Sequence, residues 1–317
     1  LAQELAGLVV KEQSGFFWIE AEDGHTYMCR LRGRLLEEAQ SSDVAAIGDR
    51  VHIQVIDEAR GAVESVEPRI SALSRAARSE GNRGAGAAER EQVIIANAEQ
   101  AFFVFAAAQP TPSLRMVDRF LVTGEKAGIE DLIIVVNKVD LDGAQPTVAR
   151  FDLYEQVGYT VLHTSALRCQ GIEALRDRLK DRISVFTGPS GVGKSSLLNA
   201  LEPGLGRVVK GVSEGRQEGM HTTRDSELVK LSFGGYLADT PGIRTLNVWD
   251  VEPEELDGYF AEIAPLVQKC RFADCSHRSE PGCAVRAALE KGKISHSRYQ
   301  SYVAMRTELE EALDAMY

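Results

Sequence analysis

The chain has 317 residues, 44% of them hydrophobic, and its 47 acidic residues outnumber 36 Lys and Arg for a formal net charge of −11. That is apolar content enough for one sizeable core and two small modules, and the acidic balance argues against a generic nucleic-acid binder. No apolar run approaches membrane-spanning length, the start reads as neither signal nor transit peptide, and five cysteines suit free thiols or a metal in the cytoplasm.

Residues 1–68 alternate apolar and polar positions in short runs such as Phe16-Phe17-Trp18-Ile19-Glu20 and Thr26-Tyr27-Met28-Cys29-Arg30-Leu31, punctuated by Gly and Asp. About five strands of this length predict a small all-β barrel of the OB type. Half of its aromatic residues must face the core, and Trp18 is assigned there. The barrel is itself acidic, with 6 Lys and Arg against 13 Asp and Glu. Residues 69–91 are rich in Gly, Ala, Arg and Glu without periodicity, which predicts a flexible linker.

Residues 92–246 carry nucleotide-binding chemistry. The apolar run Leu132–Val136 ends in Asn137-Lys138-Val139-Asp140, at the carboxyl end of a predicted parallel strand, where ligands bind in open α/β sheets. The Asp140 carboxylate can accept from guanine N1–H and N2–H₂, a donor pair that adenine lacks, and the Lys138 stem can lie along the base. Four residues alone could be a surface turn. Thr164-Ser165-Ala166 follows another strand, and a backbone N–H of Ser165 or Ala166 can read guanine O6. Gly188-Pro189-Ser190-Gly191-Val192-Gly193-Lys194-Ser195-Ser196 then joins the strand Ile183–Phe186 to a helix. Its glycines let backbone N–H groups converge on phosphate, Lys194 reaches the β- and γ-phosphates, and the Ser195 hydroxyl suits Mg²⁺. One of Thr222 and Thr223, with Thr223 preferred, would bind Mg²⁺ from a mobile switch. Asp239-Thr240-Pro241-Gly242 would hold Mg²⁺ through water at Asp239 and sense the γ-phosphate at the Gly242 N–H.

The guanine-reading elements therefore precede the phosphate loop, the reverse of the ordinary G domain. The fold predicted is a circularly permuted α/β P-loop GTPase domain with a mostly parallel sheet. Permutation is tolerated because domain termini often lie close together. It places the chain from Asn247 onward just after the second switch.

Residues 247–317 predict a mostly α-helical domain with Cys270, Cys275, His277 and Cys283 in one short stretch. Three thiolates and an imidazole suit tetrahedral Zn²⁺ with no open position, so the metal would be structural. Cys29 and Cys169 read as ordinary thiols. Lys269, Arg271, Arg278, Arg286, Lys291, Lys293 and Arg298 make this region locally basic, so RNA contact is expected here and at the linker.

A barrel, a permuted G domain and a zinc module in this order resemble the ribosome small-subunit-dependent GTPase A (RsgA) family. The resemblance extends over Asn137–Asp140, Gly188–Ser196, His221-Thr222-Thr223, Asp239–Gly242, the four metal ligands and the tail Ile294–Tyr302. It implies a monomeric GTP phosphohydrolase that binds GTP and GDP, docks on the small ribosomal subunit and its rRNA, and acts late in subunit maturation. It further implies low intrinsic turnover stimulated by the subunit, with hydrolysis linked to release of assembly factors and no membrane partner. Ile243 stands where many GTPases carry a water-orienting Gln, and His221 matches the family's proposed catalytic histidine. Gln217-Glu218-Gly219-Met220 replaces the family's basic run before that histidine. The readings opposed to this one are a permuted GTPase with another RNA or protein client, and a nucleotide-sensing module with little turnover.

Overall fold

The structure is a computed structural model that describes residues 3–38, 43–76, 91–214, 226–238 and 251–315. Five strands open the chain: β1 (Glu4–Gln13), β2 (Phe16–Ala21), β3 (Thr26–Leu31), β4 (Arg50–Val55) and β5 (Arg60–Val66), with helix α1 (Gly33–Glu38) between β3 and β4. They pair in the order β1-β2-β3-β5-β4, and β1 also pairs with β4, which closes an OB-type barrel. Only the β3–β5 contact in it is parallel.

Period-two alternation sends Phe17, Ile19 and Ala21 inward. Trp18 is thereby turned out of the core, contrary to the expectation above. A register shift between Val9 and Lys11 sets Lys11 opposite Trp18, and the ammonium lies 5.3 Å from the indole centroid. Half-burial against a cation satisfies the ring as the interior would have.

Residues 69–91 are not wholly a linker. Strand β6 (Ala72–Ala76) pairs antiparallel with β7 (Glu91–Ala96), and residues 77–90 lie outside the described residues. The segment before β6 is anchored at both ends. Arg69 makes a two-point ion pair with the fully buried Asp49, while Asn97 accepts from the Ile70 N–H and donates to the Gly48 carbonyl.

The central sheet comprises β8 (Gln100–Ala106), β9 (Asp131–Asn137), β10 (Thr160–His163), β11 (Ile183–Thr187), β12 (Ser226–Lys230) and β13 (Tyr236–Ala238). Their order is β10-β9-β8-β11-β13-β12, all parallel except the antiparallel β12. Both faces of β8 and β9 are covered, so these strands read as continuous apolar runs. Phe103, Phe105, Ile134 and Val136 face α2 (Leu114–Lys126), and Phe102, Val104, Ile133 and Val135 face the opposite core. Each such side chain contributes on the order of 1.5–3 kcal/mol on burial. The helices α3 (Gln145–Val148), α4 (Asp152–Val157), α5 (Ile172–Leu179), α6 (Lys194–Leu201) and α7 (Leu205–Glu214) complete the layers. A two-residue ladder, Lys11↔Glu227 and Glu12↔Ser226, joins β12 to the barrel.

The carboxyl-terminal part contains α8 (Ala264–Val267), α9 (Ala284–Glu290) and α10 (His296–Asp314). Its core of Val251, Phe260, Ile263, Val285 and Tyr302 takes in Val122 from α2, so this domain packs directly on the G domain. Two of the expected surface cations are not available there. Arg298 is 1% exposed and bonded to Asp118 and Glu262, and Arg278 is bonded to Glu310 and Thr307. Lys269, Arg271, Lys291 and Lys293 remain exposed and Arg286 half-buried. A guanidinium can be buried only where carboxylates meet it, and those carboxylates lie far away in sequence.

Candidate functional site

Parallel strands β8, β9 and β11 end at one sheet edge, and the loops that leave it form the site. The phosphate loop runs from Thr187 at the end of β11 to Lys194 at the start of α6. Two of its glycines are required sterically. A Cβ on Gly188 would lie 2.1 Å from the Val104 carbonyl oxygen, and one on Gly193, where φ is +96°, would lie 2.5 Å from the Asn137 amide nitrogen. Val192 packs into the core beneath the loop. The Lys194 ammonium donates to the carbonyls of Gly188 and Pro189 at 2.6 and 2.7 Å, which folds it across the loop mouth. Ser190, Ser195 and Ser196 are exposed beside it.

Asn137 fastens this loop to the base-side loops. Its side-chain N–H donates to the Val192 carbonyl at 2.9 Å, and its oxygen accepts from the Thr164 hydroxyl and the Ala166 N–H at 3.3 Å each. It is 2% exposed, so these bonds meet little competition from water. Lys138, with φ at +62°, donates to the Gly191 carbonyl at 2.7 Å and to the Gln109 carbonyl. The Val139 N–H donates to the Thr164 carbonyl at 3.2 Å. The Asp140 carboxylate is nearly enclosed, with the Arg168 side chain 4.0 Å away. Ser165 is buried, and its hydroxyl accepts from the Arg168 N–H at 3.0 Å.

Three motifs separated by tens of residues thus converge on one edge. Strand β13 ends at Ala238, the register partner of Val185, on the same edge. His221, Thr222, Thr223, Asp239 and Gly242 lie outside the described residues. Sequence reasoning missed the Gln109 carbonyl and Arg168. The first is a backbone group, which no residue identity announces; the second is signalled only by its place two residues after Ala166.

A second site lies in the carboxyl-terminal domain. The ligand atoms of Cys270, Cys275, His277 and Cys283 all fall within 4.8 Å of one another. His277 Nδ1 is 3.6 Å from Cys270 Sγ and 3.4 Å from Cys283 Sγ, and those sulfurs are 4.0 Å apart. A tetrahedral Zn²⁺ with ordinary bond lengths needs ligand–ligand edges of about 3.5–3.8 Å, and the three edges among Cys270, His277 and Cys283 lie close to that. The Ala284 and Arg286 N–H groups donate to Cys270 and Cys283 sulfur at 3.4 Å each, which favours thiolates. His277 Nε2 meets Asp257 Oδ2 at 3.0 Å, leaving Nδ1 to face the metal. Burial, followed by the neighbouring thiols, pushes the Cys275 thiol up to about 12, so a bound cation is what would hold three thiolates together. Asp257 was not foreseen, because a carboxylate 20 residues from its histidine has no spacing signature.

The fold and this edge define a circularly permuted P-loop GTPase domain, carried between an OB-type barrel and a helical domain suited to zinc. Family models described as the RsgA N-terminal domain and the RsgA GTPase match residues 6–63 and 66–249. The chain belongs to the RsgA family. It is 43% identical to the small ribosomal subunit biogenesis GTPase RsgA of Gemmatimonas aurantiaca, over 96% of this chain and 97% of that one. The protein of the same name from Moorella thermoacetica is 42% identical over the same shares. Among solved structures, YjeQ from Thermotoga maritima aligns with a TM-score of 0.77 at 35% identity, covering 97% of this chain and 99% of that one. YloQ, a circularly permuted GTPase, aligns at 0.75 and 30% identity, covering 98% and 96%.

Proposed function

We infer that the protein is a GTPase of small ribosomal subunit biogenesis, hydrolysing GTP to GDP and phosphate with stimulation by the subunit. The observation that carries this is the joining of Asn137, Val192 and Ala166 at one sheet edge, in a chain that matches small-subunit biogenesis GTPases over nearly its whole length. Guanine would be read by the Asp140 carboxylate, with the Lys138 stem against its plane. The phosphates would lie in the Gly188–Ser196 cradle, where Lys194 exchanges its loop carbonyls for phosphate oxygens. Mg²⁺ bound with the nucleotide would supply positive charge to offset that developing on the phosphates. The Ser195 and Thr223 hydroxyls and the Asp239 carboxylate are the groups suited to hold it. The Gly242 N–H would sense the γ-phosphate, and His221 would orient or deprotonate the attacking water, since Ile243 cannot.

The exposed cations Lys269, Arg271, Lys291 and Lys293 would supply positive charge for rRNA on the carboxyl-terminal domain, which the acidic barrel does not. Zinc at Cys270, Cys275, His277 and Cys283 would give that domain its shape and take no part in hydrolysis. Domain limits near residues 68 and 246 are proposed with this division, while the β6–β7 pairing crosses the limit expected near 91. A cytoplasmic monomer is the reading the family resemblance supports; no described helix is long and apolar enough to cross a membrane. The test is GTP turnover by the purified protein alone, with equimolar small subunits, and with large subunits. Strong stimulation by small subunits only is expected; equal turnover in all three would send the search to another client.

A further inference from the structure

Among the described residues, Arg298 is the most deeply buried arginine or lysine. It emerges from α10, yet its guanidinium reaches the G domain, where Nη1 donates to Asp118 on α2 at 2.8 Å, while Nε and Nη2 donate to Glu262 of its own domain at 2.6 and 2.8 Å. The Phe260 ring centroid lies 4.6 Å from it and that of Tyr154 5.6 Å. Asp118 is fully buried and also accepts from the Tyr154 hydroxyl at 2.6 Å, a hydroxyl that lies 3.2 Å from the Leu114 carbonyl. The start of α2 is therefore held by α4 through Tyr154 and by the carboxyl-terminal domain through Arg298. The flanking ion pairs of Arg115 and Arg119 with Glu308 are more exposed and hold it less.

The segment that leads into α2 is the one that touches the nucleotide site. The Ala107 N–H donates to the Asn137 carbonyl at 2.7 Å, the Gln109 carbonyl accepts the Lys138 ammonium, and Pro110 is the nearest neighbour to a Cβ on Gly191. We propose that Arg298 is a positioning residue for guanine-nucleotide binding, fixing α2 through Asp118 so that the preceding loop holds the Lys138 ammonium in place. Without the guanidinium, Asp118 keeps only the Tyr154 hydroxyl and Glu262 loses both Arg298 bonds, so the start of α2 is no longer fastened to the carboxyl-terminal domain. Because the coupling is reciprocal, nucleotide binding tightens the docking of α10 on α2. The inference rests on the assignment of Lys138 to the base.

The test uses the full zinc-loaded chain. GDP affinity, read with a fluorescent GDP analogue, is compared for the wild type, Arg298→Met, Arg298→Lys, Lys138→Ala and Arg306→Ala, with zinc content measured for each. Arg306 bonds Tyr302 and Glu310 within the carboxyl-terminal domain, so it serves as a control for general destabilisation. Arg298→Met is expected to weaken binding roughly 5-fold or more with zinc retained. Arg298→Lys should fall between, keeping the charge without the fork. Arg306→Ala should lower the melting temperature alone. In the wild type, GDP should slow amide exchange across residues 296–306. Normal affinity in Arg298→Met beside weakened Lys138→Ala overturns the inference; normal affinity in both overturns the base assignment and the inference with it. If Arg298→Met does not fold, the wild-type exchange experiment decides, and an absence of GDP-dependent protection overturns the proposal.

Discussion

The side-chain amide of Asn137 donates to the Val192 carbonyl at 2.9 Å across 55 residues of sequence, and together with the Lys138 bond to Gly191 it ties the base-side loop to the phosphate loop. In the ordinary order of a G domain the phosphate loop comes first; here the order is reversed, and the contact survives because it depends on the sheet edge and not on chain direction. Replacing Asn137 by Ala leaves the buried Val192 carbonyl and Ala166 N–H without their partner. The cost is about 1–3 kcal/mol, or roughly 5- to 150-fold in GDP affinity, with the fold retained. Titration of the variant with a fluorescent guanine nucleotide measures it.

Gly193→Ala should be harsher. The new methyl would press on the Asn137 amide at 2.5 Å, from a left-handed backbone conformation that alanine disfavours. Both the loop and the Asn137 bond must give way, so nucleotide binding should be lost in equilibrium dialysis. A Gly204→Ala control, also at positive φ but with open space around it, should keep binding.

The parts of this architecture legible in the sequence are those set by short local rules. Glycine-rich turns, Asn-Lys-x-Asp after an apolar run and clustered Cys and His each have a spacing fixed by the ligand they suit. Alternation also announced the barrel, although it did not give the phase: Phe17 and Trp18 are adjacent, and only the paired strands decide which faces inward. Arg298 read as a surface cation because burial of a guanidinium depends on Asp118 and Glu262, neither of them local. The β6–β7 hairpin was hidden for a similar reason, since Ala72–Ala76 acquires its strand partner only from β7.

At the metal site, Asp257→Ala should weaken zinc retention by about 10–100-fold, since the carboxylate at 3.0 Å is what orients His277. Competition with a coloured chelator reads this directly. Cys283→Ser should be more severe, removing a ligand and the sulfur that accepts the Arg286 N–H at the start of α9. Intrinsic GTP hydrolysis, measured with Mg²⁺ present, should persist in folded Asp257→Ala protein depleted of zinc, which separates a structural metal from a catalytic one.

Cys29 gives a pH dependence with a definite sign. Its thiol is fully buried in the barrel, and that burial pushes it up to about 11 from an ordinary value of 9.0, with the Gly61 backbone working weakly the other way. The folded state therefore keeps the proton while the unfolded chain releases it. The stabilisation is fully present below pH 9 and is lost as pH rises towards 11, a change on the order of 2 kcal/mol. Guanidinium unfolding of the barrel should show that fall in the wild type and a smaller one in Cys29→Ala, whose small cavity lowers stability equally at every pH. Cys169, exposed after β10, should react with a thiol reagent at neutral pH while Cys29 does not. A Cys29 that alkylates as fast as Cys169 in the native protein would show that the barrel opens readily, and the difference between the two unfolding curves would then vanish.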